Sequence, residues 1–440
     1  MRGDSPGEVL EELFQATVSA PRPTGAAGQD RARSDPADPL AVRMMRHADS
    51  VRAGGGTPLA AFEGALVAML FAGEVAGVRH PQGGDPAGVR PLARSWEDYP
   101  RRLRRELGSG SVPANPRKNL QLMITRRCQL RCEYCPVVKG EHDMPRYTIG
   151  RAVDLLLTAG GPRVRLDLSG GEPLLRPEAV RFAVERLRGG AEARGIQADL
   201  YLVTNGFELG PALAGELAAQ GFEIELSMDG PEELHNRWKT PLDPGENPYR
   251  RTLAALHNVL AAGGRHRVVM VATPETVGRL PESFAHVVAQ GARAVDVNYA
   301  VGRRWAGAPL RAYLDGMARI VDDHGDAIRS GALRLGNLTS RNEPSILNGE
   351  WMVDTDGAIH LMTEWALERW RPDDTADGTV ARLGEVGRWD DLLYGRFHAY
   401  LTLLRTYAWR DRELRATLLD SVITGREVGR ALASVATGVA

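Results

Sequence analysis

From Asn119 to about Arg303 short apolar runs alternate with amphipathic helical segments, and no other feature of this 440-residue chain limits its fold as strongly. Six runs have the length and composition of strands: LQLMIT, VRLDLS, DLYLVT, EIELSM, HRVVMVAT and AVDVNYA. Between them lie IGRAVDLLLTAG, PEAVRFAVERLRGG, GPALAGELAAQG, YRRTLAALHNVLAAG and LPESFAHVVAQG, whose apolar residues recur at helical spacing. Strand, helix and strand repeated with right-handed crossovers predict an α/β fold, a partial TIM barrel of (β/α)6 type. Such a barrel works at the loops on the C-terminal ends of its strands.

The flanks read differently. Residues 1–118 predict an α-helical N-terminal extension: Val9, Leu10, Leu13, Phe14 and Val18 share a helix face, and Asp38-Pro39 and Thr57-Pro58 each look like a cap followed by proline at the first helical position. Residues 19 to 37, rich in Pro, Gly, Ala, Asp and Arg, read as a poorly ordered linker. The arginine run in YPRRLRRELG reads as a solvated helix face. After the barrel, placed at 119–308, a small α+β domain is expected at 309–390 and C-terminal helices at 391–440.

Charge excludes some partners. With 55 Lys plus Arg against 56 Asp plus Glu, no field of one sign favours nucleic acid or an anionic membrane. The longest apolar run, Gly64 to Val78, contains Glu74 and falls short of the roughly 20 residues a spanning helix needs. The stretch MRGDSPGEVLEELF lacks the apolar core of a signal peptide, so the expected location is cytoplasmic. The three cysteines lie within eight positions of one another, which suits a metal or cluster and not a dispersed disulfide framework.

These cysteines form C-x3-C-x2-C, Cys128, Cys132 and Cys135, immediately after the first strand. Three thiolates on one tight loop can hold three irons of a cubane and leave the fourth open. A zinc site completed by a histidine such as His142 is the alternative, although structural zinc usually takes four ligands. The second strand ends in S-G-G-E-P, Ser169 to Pro173, where two glycines allow a ligand close to the backbone and Glu172 can accept from an amino group. The third ends in T-N-G, Thr204 to Gly206, and the fourth in S-M-D-G-P, Ser227 to Pro231. Each alone reads as a capping turn. Together they place polar groups along the working face.

In this order and spacing, residues 119 to about 303 resemble the radical S-adenosylmethionine (SAM) superfamily, down to the aromatic Tyr134 before the last cysteine. The resemblance implies one 4Fe-4S cluster on Cys128, Cys132 and Cys135, with Tyr134 against the adenine and Gly170, Gly171 and Glu172 holding the methionine amino group. It implies further that Thr204 and Asn205 line the SAM pocket, that Ser227 and Asp229 contact the ribose or polar end, that Arg237 pairs with the carboxylate, and that Asn298 lies near the adenine. The implied chemistry is reductive cleavage of SAM to a 5'-deoxyadenosyl radical that removes a substrate hydrogen atom, with an electron donor such as flavodoxin or ferredoxin. The protein positions the substrate and excludes water, for which apolar barrel residues matter as much as polar ones.

The stretch S-M-D-G-P-E-E-L-H-N-R-W also resembles the subgroup with a C-terminal SPASM domain, whose members mostly modify ribosomally made peptides. L-N-G-E-W-M-V-D-T-D-G-A-I-H-L-M looks like a SPASM core, a hairpin around Asp356-Gly357, and V-A-R-L-G-E-V fits the same pattern. No cysteine is present there, and Met362 stands about where one is expected, which predicts a degenerate SPASM-like region without metal; an unrelated capping hairpin is the alternative. With every cysteine assigned to the cluster, no thiol remains for hydrogen donation, methyl transfer or an auxiliary cluster. Three functions follow as candidates: a peptide maturase in natural-product biosynthesis, which the SPASM resemblance favours; an enzyme of a small metabolite such as an amino sugar, nucleoside or amino acid; and a non-catalytic metal-binding protein.

Overall fold

The computed structural model describes residues 118–339, 346, 348–362, 381–389 and 392, with individual positions from 417 to 435. They belong to one compact unit, Arg117–Gly395 with Thr417–Ala440. The expected N-terminal helices, the 19–37 linker and most of the expected 391–440 helices lie outside the described residues.

The six expected strands form, and they pair in parallel in chain order. They are β1 (Asn119–Met123), β3 (Arg163–Ser169), β4 (Gln197–Thr204), β5 (Glu223–Ser227), β7 (Arg265–Ala272) and β8 (Ala294–Tyr299). Between them run the expected helices α1 (Arg146–Leu157), α2 (Pro177–Glu192), α3 (Pro211–Ala219), α5 (Pro248–Ala261) and α6 (Leu280–Ala289). Proline opens α2, α3 and α5, where its missing N–H is no loss, and Asn247 caps α5 by accepting from the Arg250 N–H.

Alternation along each strand divides the barrel wall into two chemistries. Leu120, Leu122, Leu166, Leu168, Leu202, Ile224, Leu226, Val268 and Val295 are fully or almost fully buried beneath the helices. The intervening positions, among them Gln121, Asp167, Tyr201 and Glu225, face an internal cavity.

Two features were not legible in the pattern. The S-M-D-G-P-E-E-L-H-N-R-W stretch forms a short helix, α4 (Glu232–Trp238), and then β6 (Lys239–Pro241). That strand pairs antiparallel with β2 (Leu130–Cys132), and Cys132 lies opposite Lys239. Strands this short have no periodicity of their own and form only because tertiary contact brings them together.

The hairpin expected around Asp356-Gly357 is present. Strands β10 (Trp351–Val353) and β11 (Ala358–Leu361) pair antiparallel across a turn in which Gly357 takes φ 85°, and β12 (Ala381–Arg382) follows β11. The hairpin joins the barrel sheet, because β10 runs parallel to β1 with Leu120 opposite Trp351 and Leu122 opposite Val353. At the other edge β9 (Arg334–Leu335), after the long helix α7 (Ala308–Arg329), pairs with β8, so the sheet has ten strands. Among the described residues no helix is long and apolar enough to cross a membrane.

Candidate active site

The cysteine loop leaves β1 at Ile124 and is stitched to the end of β3. Gly171 N–H donates to Thr125 O at 2.6 Å and Glu172 N–H to Arg127 O at 2.8 Å. A Cβ at Gly171 would stand 2.1 Å from Arg127 O, and one at Gly170, whose φ is 153°, would stand 2.4 Å from Thr125 O. The two glycines of S-G-G-E-P therefore admit the backbone of the cysteine loop itself, where the sequence suggested a ligand.

Cys128, Cys132 and Cys135 all line one cavity of about 470 Å³ at the C-terminal ends of the strands. Cys128 Sγ accepts from Leu130 N–H at 3.4 Å and lies 3.7 Å from Asn205 Nδ2. Burial pushes the thiols of Cys128 and Cys132 up, the latter to about 12. Lys139, also on the cavity wall, is held above the usual lysine range despite its burial by Cys135 and Cys128. Lys139 and Lys239 alone do not offset the burial of these thiols, and bound iron would supply the further positive charge that holds them as thiolates. Among the described residues no three His, Cys, Asp or Glu side chains converge as a single metal ion requires. A cubane asks instead for one thiolate at each of three corners, which suits three separate sulfurs on one wall. His142, the residue considered for a zinc site, is exposed and lies off the cavity.

Most of the other expected residues gather round the same space. Tyr134, Gly170, Gly171, Thr204, Asn205, Ser227 and Asn298 line it. Three do not. Glu172 is completely buried behind the wall, and its carboxylate accepts from Leu174 N–H at 3.0 Å, Thr204 Oγ1 at 2.8 Å and Asn205 N–H at 2.7 Å. Burial raises its carboxyl to about 7 even against these donors. Asp229 accepts from the Tyr134 hydroxyl at 2.6 Å and from Val271 N–H at 3.0 Å, and pairs with Lys239 at 3.3 Å. Arg237 is exposed, its guanidinium 5.3 Å from the Trp238 ring centre. Helix α4 turns that side chain outward, and the buried cation at this strand end is Lys239, which donates to Ser227 O and Oγ at 2.8 Å. A lysine followed by Thr-Pro after an amphipathic helix gave no sign of this in the sequence.

The hairpin closes one side. Arg126, on the cysteine loop, grips Asp354 with two bonds, Nε to Oδ1 at 3.1 Å and Nη2 to Oδ2, and together these hold Asp354 below the usual carboxylate range against its burial. Met362, where a cysteine was expected, packs with Cys135 against Met123, Val137 and Met352, and reaches the cavity.

Residues 122–286 match the model of the radical SAM superfamily. This chain carries a radical SAM domain. Enzymes of that superfamily use a 4Fe-4S cluster and SAM, and the three cysteines on one wall of this cavity fit the cluster. Over 162 residues the chain is 30% identical to pre-heme d1 synthase of Dinoroseobacter shibae, covering 36% of this chain and 37% of that one. It is 30% identical over 151 residues to GTP 3',8-cyclase 1 of Mycobacterium tuberculosis, 33% of this chain and 40% of that one. It is also 30% identical over 210 residues to PqqA peptide cyclase of Ruegeria pomeroyi, 45% of this chain and 53% of that one. The chain thus spans between about a third and about half of the length of these relatives. The fold of the radical SAM domain and its flanking strands is similar to that of native anSMEcpe with bound AdoMet, with a TM-score of 0.57, 15% identity and coverage of 73% of this chain and 100% of that one.

Proposed function

We propose that this protein reductively cleaves SAM at a single 4Fe-4S cluster and uses the resulting 5'-deoxyadenosyl radical to remove a hydrogen atom from a ribosomally made peptide, as a step in natural-product biosynthesis. The observation that carries the reading is the meeting of Cys128, Cys132 and Cys135 with the polar strand ends at Gly170, Thr204, Asn205 and Ser227 on one cavity. In this reading the three cysteines hold the cluster. Asn205, Ser227 and Tyr134 offer hydrogen-bonding groups and an aromatic face to SAM, and the backbone at Gly170 and Gly171 forms the adjoining wall. Glu172 serves SAM indirectly, by fixing Thr204 and Asn205 in place. Val203, Val269, Val271 and Met362 exclude water from the space in which a carbon radical would meet its substrate.

Support for a peptide comes from the PqqA peptide cyclase similarity and from a second solved structure, native anSMEcpe with bound AdoMet and Kp18Cys peptide, with TM-score 0.56 and 15% identity over 73% of this chain and 99% of that one. The test is anaerobic reconstitution with iron and sulfide, addition of SAM and dithionite, and chromatography for 5'-deoxyadenosine. Wild type should form it and Cys132→Ala should not. Peptides encoded by small reading frames beside the gene are then added, and a loss of two mass units or a new crosslink is sought. Turnover of a nucleotide or amino sugar and of no peptide would assign the domain to metabolite chemistry instead.

A further inference from the structure

Deeper in the barrel the cavity meets a belt of charged side chains that neither the cysteine motif nor the strand-end turns explain. Tyr201 on β4, only 7% exposed, donates its hydroxyl to Glu225 Oε2 on β5 at 2.5 Å. Arg165 holds Asp167 through two bonds of 2.6 Å. Arg267 reaches Asp296 at 2.5 Å and Glu223 at 3.2 Å, and Arg334 reaches Glu223 at 3.1 Å. Asp167, Glu223 and Asp296 therefore each have a guanidinium partner. Among the described residues Glu225 has no ion pair, and its one assigned hydrogen bond is to a neutral phenol. Burial pushes the Glu225 carboxyl up to about 7, with Asp296 and Asp167 adding to it, against the Tyr201 bond and the Arg267 guanidinium across the strand pair, which is committed to Asp296 and Glu223. Of these four carboxyl groups, Asp167 and Glu225 reach the cavity wall, and Asp167 is neutralised on site.

We propose that Glu225, oriented by Tyr201, binds a basic nitrogen of the substrate, an amine or guanidine, and so selects a lysine- or arginine-like side chain for the radical chemistry. The inference rests on reading this cavity as the substrate site. The Tyr201 hydroxyl occupies Oε2, which leaves Oε1 as the acceptor for a charge-assisted bond. An anionic substrate group gains less here, because two donors of Arg165 are already engaged by Asp167. A cation arriving at Glu225 completes the belt.

The test uses reconstituted holoprotein with SAM and no reductant, titrated calorimetrically with n-butylguanidine, n-butylamine, 1-butanol and butyrate. Both cations should bind saturably and at least about tenfold tighter than butanol, and Glu225→Gln should remove about that factor. Equal binding of cation and alcohol, tightest binding of butyrate, or a cation preference that survives in Glu225→Gln would each overturn the proposal. If the variant does not fold, the ranking of the four probes on wild type decides alone. Because no reductant is present, a failure here is separable from a failure to cleave SAM.

Discussion

Tyr134 of the cysteine motif donates its hydroxyl to Asp229 at 2.6 Å, so the loop that carries the three cysteines is fastened to the end of the fourth barrel strand by one charge-assisted hydrogen bond. Lys239 completes the link, 3.3 Å from Asp229 and opposite Cys132 in the β2–β6 pair. Removing the hydroxyl in Tyr134→Phe leaves Asp229 with Val271 N–H and Lys239 and should lower the stability of the reconstituted protein by about 1–3 kcal/mol. Urea unfolding of wild type and variant measures it; equal midpoints would mean that the contact holds nothing.

Gly171→Ala should have a larger effect than its single methyl suggests. The new Cβ meets the Arg127 carbonyl at 2.1 Å, a contact only a shift of the cysteine loop can relieve. Iron content after reconstitution should fall well below the roughly four per chain expected for one cubane, while far-ultraviolet circular dichroism stays native. Full iron loading in this variant would show that the loop tolerates the shift.

Glu172→Gln separates the hydrogen bonds from the charge. Burial raises the folded-state carboxyl from 4.5 to about 7, so the native state binds this proton more tightly than the unfolded chain does. That contribution to stability is complete below about pH 4.5 and is lost as pH rises through about 7. Glutamine cannot titrate and turns an amide towards donors such as Asn205 N–H. It should be less stable than wild type by about 1–3 kcal/mol near pH 5, with the gap narrowing towards pH 7.5. A gap independent of pH, read from unfolding curves across that range, would show that the carboxyl does not titrate in this window.

Asp354→Ala tests whether the hairpin serves the site. It removes both bonds to Arg126, whose guanidinium is only 16% exposed, at a cost of about 3–5 kcal/mol for a buried pair, scaled down for the remaining exposure to about 1–3 kcal/mol. Thermal unfolding should shift down, and the cysteine loop should become more susceptible to proteolysis near Arg126. No change in either would reduce the pair to a surface contact.

The strand and helix order, the cysteine triad and the small polar turns at the strand ends were all readable in the sequence. Each is set by local spacing: period two for the strands, 3.6 for the helices, and glycine beside a polar side chain at each turn. The D-G hairpin was readable for the same reason. Its attachment to β1 was not, since a parallel pair between residues near 120 and 351 has no local signature.

What only the tertiary structure decided is which polar side chains face the cavity and which serve the wall. Glu172 and Arg237 looked like SAM contacts because each stands in a suggestive motif. Packing buries the first beneath Thr204 and Asn205, and helix α4 turns the second outward. Lys239 and Glu225 sit in sequence with no motif of its own, yet one reaches the Tyr134–Asp229 link and the other the barrel floor. A sequence states the spacing of neighbours along the chain. The charge balance of a barrel interior is set by residues from strands far apart in sequence, and it exists only once the barrel has closed.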